Sequence, residues 1–214
     1  MAISQRRLAA AGIAAPVLFT SLVLLQELLQ PSYDRVSTQI SALAAWPLGW
    51  IQNLDFIVFA WLLFAFVIGL DRGVAGAPGG RAGIGLLVLA AFGAFLAGAF
   101  PWTTSNGKPI ATSEHIMAAI THFLAAAFGL VVLSRRLALD PRWKDLWPFT
   151  LLGGLAMLGL FTTHALFAVG PSRPLHPWAG LLQRLTVLIW FGCLLALAFR
   201  LRRLASAEAP AGRV

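Results

Sequence analysis

The sequence predicts an all-α integral membrane protein: a bundle of six transmembrane helices with both termini in the cytoplasm. Three observations carry that expectation. Of 214 residues, 59% are hydrophobic and only 11% charged, with a mean hydropathy of +0.81, whereas soluble domains carry about 25% charged residues. Six apolar runs are each close to the roughly 20 residues needed to cross about 30 Å of hydrocarbon. Finally, the basic residues fall between these runs in alternation.

In order along the chain, residues 8–29 form the first span, closed by Gln30-Pro31-Ser32. The preceding Gln5-Arg6-Arg7 resembles the start of a signal peptide, but no small-residue cleavage site follows before Gln26, so the span is expected to remain uncleaved. The second span, 51–70, ends at Asp71-Arg72-Gly73, and a glycine-rich turn through Gly79-Gly80 leads to the third, 82–100, which Pro101 stops. The fourth covers 115–133, the fifth 147–169 with Pro141 and Pro148 at its entry, and the sixth 179–199. Proline and glycine mark such boundaries because neither propagates a helix. One domain over 1–204 and a flexible cytoplasmic tail over 205–214 follow.

Orientation comes from lysine and arginine. Arg6, Arg7, Arg72, Arg81, Arg135, Arg136, Arg142, Lys144, Arg200, Arg202, Arg203 and Arg213 occupy one set of loops, and only Arg35, Lys108 and Arg173 the other. The richer side is cytoplasmic. The net charge of +8 is thereby explained by topology and anionic lipid rather than by nucleic acid. One cysteine, Cys193, excludes an intrachain disulfide and a cysteine-based metal cluster.

Polar residues inside hydrocarbon cost about 2.5–3.5 kcal/mol each on insertion scales, so they normally turn inward and find partners. Here they gather toward the outer ends of the spans: Gln26 and Glu27, Asn53 and Asp55, Glu114, His115 and His122, His164, Gln183 and Arg184. Helix ends let some of these reach water, but His122 and Arg184 lie deeper. His115, Ala118, His122, Ala126 and Gly129 recur at three and four residues, a single helical stripe. Ala90, Ala94 and Gly98 form a second small ridge, and the two are expected to pack together.

Several chemistries fit these residue types. A zinc site needs three convergent ligands, but His115 and His122 stand about 10 Å apart along a helix, so at most one could join His164 and a carboxylate. Haem would require His122 and His164 to face each other. Arg184 cannot be neutralised and demands an anion: either a structural partner among Glu27, Asp55 and Glu114, or a ligand phosphate or carboxylate. The first outer connection, with Tyr33, Asp34, Arg35, Ser37, Thr38 and Ser41, is long enough to fold over a cavity mouth. Trp46, Trp50, Trp102 and Trp178 at one boundary and Trp143 and Trp147 at the other read as aromatic belts.

Four short segments resemble the bacterial six-span family called domain of unknown function 998. They are Tyr33-Asp34-Arg35-Val36-Ser37 to Ser41-Ala42-Leu43, Gly98-Ala99-Phe100-Pro101, the histidine-bearing fourth span, and Gly180-Leu181-Leu182-Gln183-Arg184. The resemblance implies a six-span fold and assigns no activity. Relatives often carry an acidic residue soon after the Phe-Pro turn, where this chain has Trp102-Thr103-Thr104.

The functional expectation is an outward-facing intramembrane pocket that binds or handles an anionic lipid or small polar ligand. Arg184, Gln183, His122, His164, His115, Glu27, Asp55 and Glu114 are its candidate residues. A metal-dependent hydrolase at the outer leaflet and a structural subunit of a membrane complex are the alternatives.

Overall fold

The structure is a computed structural model that describes residues 3–74 and 81–207. Six long helices run up and down: α1 Gln5–Leu28, α2 Gly49–Gly73, α3 Ala82–Ala99, α4 Ser113–Leu139, α5 Trp147–Phe167 and α6 Ala179–Ala207. All six are long and apolar enough to cross a membrane. Each packs on its neighbours in sequence, and α6 returns against α1, so the helices close a ring. Within the expected tail, α6 continues through Ala207; residues 208–214 lie outside the described residues, as does the glycine-rich turn 75–80.

Local chemistry sets the helix ends. Ser4 caps α1 by accepting from the Arg7 amide, and Thr112 caps α4 by accepting from the His115 amide, the usual side-chain cure for unpaired amides at a helix start. Phe100 caps the end of α3 and Pro101 follows it. Beyond it lies a two-stranded antiparallel hairpin, β1 Thr103–Ser105 and β2 Lys108–Ile110. Asn106 and Gly107 both take positive φ at its tip, 51° and 74°, as a tight two-residue hairpin turn requires.

The most extensive helix pair is α3 with α4, where small residues let two backbones meet. A Cβ on Gly93 would stand 2.6 Å from the His122 amide nitrogen, so only glycine fits. Of the predicted ridge on α3, the Ala90 carbonyl meets His122 at 2.8 Å, but Gly98 turns instead to α2, against the Asn53 carbonyl and Phe56. Helix periodicity explains this: a four-residue ridge drifts around the axis and reaches the adjacent neighbour within two turns.

The two ends of the ring are stitched differently. At the inner end, Arg136 donates to the Asp71 carboxylate and the Val74 carbonyl, and Trp143 Nε1 donates to the Gly73 carbonyl. Trp143 is fully buried, so it is a core residue and not part of an aromatic belt: its indole covers the end of α2. Trp50, Trp61 and Trp178 are the strongly exposed tryptophans. At the outer end the connection between α1 and α2 folds across the ring, with a 3-10 turn at Ile40–Ala45.

Candidate functional site

Arg184 anchors that outer connection. From the first turns of α6 its guanidinium donates to the Glu27 carboxylate at 2.5 Å, the Tyr33 hydroxyl at 2.8 Å, and the carbonyls of Arg35 at 2.8 Å, Thr38 at 3.0 Å and Gly180 at 3.1 Å. Glu27 also pairs with Arg35 at 3.4 Å. The Tyr33 hydroxyl donates in turn to the carbonyls of Thr38 and Gln39. Burial, opposed by Arg184, pushes its pKa up to about 12. Asp34, exposed beside it, is held below the usual carboxylate range by the Ser37 hydroxyl and the Val36 amide.

Two further contacts fix the loop. Gln183 Oε1 accepts from the Ile40 amide at 2.6 Å, and Gln39 Nε2 donates to His164 Nε2 at 2.8 Å. Gly180 lies so close to the Arg35 and Thr38 carbonyls that a side chain there would strike them. The segment Tyr33 to Leu43 and the segment Gly180 to Arg184, separated by more than half the chain, are therefore two halves of one clamp.

Beneath the clamp is a small cavity of about 40 Å³, room for a few water molecules. Ile40 and Ser41 of the 3-10 turn line its outer part, and Phe19, Phe56, Phe59, Phe123, Trp190 and Phe191 supply most of its wall. His115, His122 and Gln183 also face it. His115 Nδ1 lies 3.1 Å from the Ala97 carbonyl and 2.9 Å from the Phe100 carbonyl, and His122 Nδ1 lies 2.8 Å from the Ala90 carbonyl. A carbonyl only accepts, so in both rings Nδ1 carries the proton and the neutral ring keeps a lone pair on Nε2. Neither Nε2 has a hydrogen-bonding partner among the described residues. The Trp190 indole N–H, fully buried, is likewise unpaired among them.

The candidate residues thus separate into groups. His115, His122 and Gln183 converge on the cavity; Glu27 and Arg184 are joined in the clamp; His164 is held by Gln39. Asp55 is buried in α2 outside the cavity lining, and Glu114 is exposed in the first turn of α4, where negative charge suits a helix start. Among the described residues no three His, Cys, Asp or Glu side chains gather as a metal site would need. Sequence reasoning missed Gln39 and Trp190. The signal for Trp190 was its position: mid-span, away from either boundary where belt tryptophans sit.

The family described as "Protein of unknown function (DUF998)" matches residues 13–200. This chain belongs to that family. It is a multi-pass bacterial membrane protein. Among DUF998 features expected from the sequence, the Gly98 to Pro101 segment ends α3 so that His115 closes on its last carbonyls. Thr103 and Thr104 are exposed in β1. No curated protein and no solved structure matched the chain.

Proposed function

We propose that this DUF998 protein opens the small cavity beneath the clamp to admit an amphiphile, its apolar body parting the phenylalanine wall and its head group toward the two histidines. The observation that carries the reading is the pair of imidazoles locked with Nε2 as an acceptor in an apolar chamber. Acceptors that open on an apolar chamber are matched by a ligand's donor, and an apolar pocket with a few placed polar groups is the usual form of a ligand site.

The same geometry selects the head group. Two lone pairs favour a donor, such as a hydroxyl or amine, and disfavour a phosphate or carboxylate. An anionic head group could reach Arg184 only by displacing Glu27 or Tyr33, so the neutral or donor-bearing version of the ligand is preferred over the anionic one. Trp190 adds a donor, which a hydroxyl oxygen could accept.

Native mass spectrometry of the full chain released from mild detergent tests this. The wild type is expected to carry a small amphiphile as an adduct that Ala119→Phe, which grows into the cavity, removes, and that His122→Leu reduces. A wild type with no adduct, or an adduct retained in full by Ala119→Phe, would contradict the reading.

A further inference from the structure

The inner end of the bundle carries a charge arrangement that neither the clamp nor the cavity uses. Its described acids are all taken. Asp71 pairs with Arg136 at 3.2 Å and with Arg81 at 3.4 Å, Asp140 pairs with Arg142 at 2.9 Å, and Asp145 pairs with Arg200.

The corner where α1 begins and α6 ends holds four more arginines. Arg6, Arg7, Arg202 and Arg203 are exposed, and none of their guanidinium groups has an ion-pair partner among the described residues. Glu208, the nearest acid in sequence, lies outside the described residues and offsets at most one of the four charges. Packing fixes the level of both pairs. A Cβ on Gly69 would stand 2.7 Å from Leu8 Cβ and 3.2 Å from Leu201 Cδ2, and one on Gly73 would meet both Leu201 and the Gln5 amide nitrogen. Gln5 and Leu8 bracket Arg6 and Arg7, and Leu201 immediately precedes Arg202 and Arg203. Deeper in the bundle Gly12 packs on Ala198, so α1 and α6 run antiparallel in contact. The two arginine pairs therefore leave the bundle within about one helical turn, roughly 5 Å, of the same height.

On the hydrocarbon side of the arginines the surface is apolar. Phe199, 49% exposed, lies three and four residues before Arg202 and Arg203, and exposed Ala10 lies four and three residues after Arg6 and Arg7. Those are the spacings that share a helix face. A soluble anion would engage the arginines and leave this apolar strip bare, whereas a lipid engages both. Each guanidinium favours two-point contact with phosphate oxygens, and four of them exceed what a single phosphodiester charge balances. Two phosphates in one head group, one for each arginine pair, match the arrangement. Arg72, Arg135 and Lys144, also exposed at this end, instead each adjoin in sequence a member of one of the ion pairs above.

We propose that the α1–α6 corner binds the head group of a diphosphate glycerolipid from the inner leaflet. Arg6 and Arg7 take one phosphate, Arg202 and Arg203 take the other, and the acyl chains run along Ala10 and Phe199. Basic sites at the cytoplasmic ends of neighbouring helices suit such head groups. None of the four arginines lines the cavity, so the site stands whether or not the amphiphile reading does.

The test is native mass spectrometry of the full chain in mild detergent, titrated with tetraoleoyl diphosphatidylglycerol or with dioleoyl phosphatidylglycerol at equal phosphate, the adduct mass identifying the lipid. One diphosphatidylglycerol per chain is expected, half-saturating at a phosphate concentration about tenfold lower than the single-phosphate lipid. Arg6→Gln with Arg7→Gln, and Arg202→Gln with Arg203→Gln, should each weaken binding about tenfold. Arg72→Gln with Arg135→Gln removes the same charge and should leave it unchanged. Equal affinity for the two lipids, equal weakening by the Arg72 and Arg135 changes, or undiminished binding with both corner pairs replaced overturns the proposal. Displacement of the lipid by an equal concentration of inorganic pyrophosphate also overturns it, assigning the corner to a soluble diphosphate. The lipid-free melting temperature reports whether each variant folds; if one pair's variant fails, the other pair and the wild-type lipid series decide between the same outcomes.

Discussion

Arg184 and Tyr33 show how few side chains hold the outer connection in place. The Glu27 side chain is 2% exposed and that of Arg184 21%, so removing the cation strands a buried carboxylate. Arg184→Met is expected to destabilise the protein by about 3 kcal/mol, and adding Glu27→Met should recover much of that loss; additive losses in thermal melts would argue against a coupled pair. Tyr33 is the chain's one tyrosine, so its ionisation can be read directly by ultraviolet absorbance. The tyrosinate signal should appear near pH 12 in the folded protein and near 10.0 once unfolded. Because the folded value is the higher, the associated stability is complete below pH 10, and it is lost as pH rises through 12. A folded-state midpoint at the ordinary value would mean that the loop does not bury this hydroxyl.

At the scale of helices, packing through small residues makes predictions of opposite sign for chemically identical changes. Gly93→Ala places a methyl against the backbone of α4 and should cost about 1–3 kcal/mol. Gly85 and Gly159 have open space where a Cβ would go, so alanine there should be neutral or stabilising by up to about 1 kcal/mol. Equal effects at all three in melting experiments would contradict the close approach of α3 to α4. The helices themselves were legible in the sequence because hydrocarbon imposes a length and a polarity on every span; the predicted span 147–169 differs from α5 only at its last residues. The clamp was less legible. That Arg184 needs a carboxylate followed from its charge, but the choice of Glu27 over Asp55 and Glu114 depends on how the loop folds, which no periodicity encodes. The hairpin at Asn106-Gly107 was missed although its turn signal is local, because strands this short leave no alternation of polarity to flank the turn. Trp143 was misread as a boundary residue since burial by a neighbouring loop leaves no mark in hydropathy.

Over the whole molecule, the buried glutamines and histidines lie toward one end, shared among the clamp, the cavity and the Gln26–Gln52 pair between α1 and α2. The charge rule predicts that this end faces outside. Asn106→Cys should therefore react with an impermeant maleimide on intact cells, and Ser206→Cys only after permeabilisation; Cys193 is fully buried and adds little background. The reverse pattern would put the cavity in the cytoplasmic half. The clamp roofs the cavity and the histidines polarise it, so occupancy of that chamber is the central claim. Quenching of Trp190 fluorescence by a brominated long-chain alcohol measures this most directly, with Trp190→Phe supplying the background of the other tryptophans. Saturable quenching is predicted in the wild type, stronger than with the acid of equal chain length and absent in a folded Ala119→Phe variant. Quenching that is equal in both proteins, or greater with the acid, would contradict it.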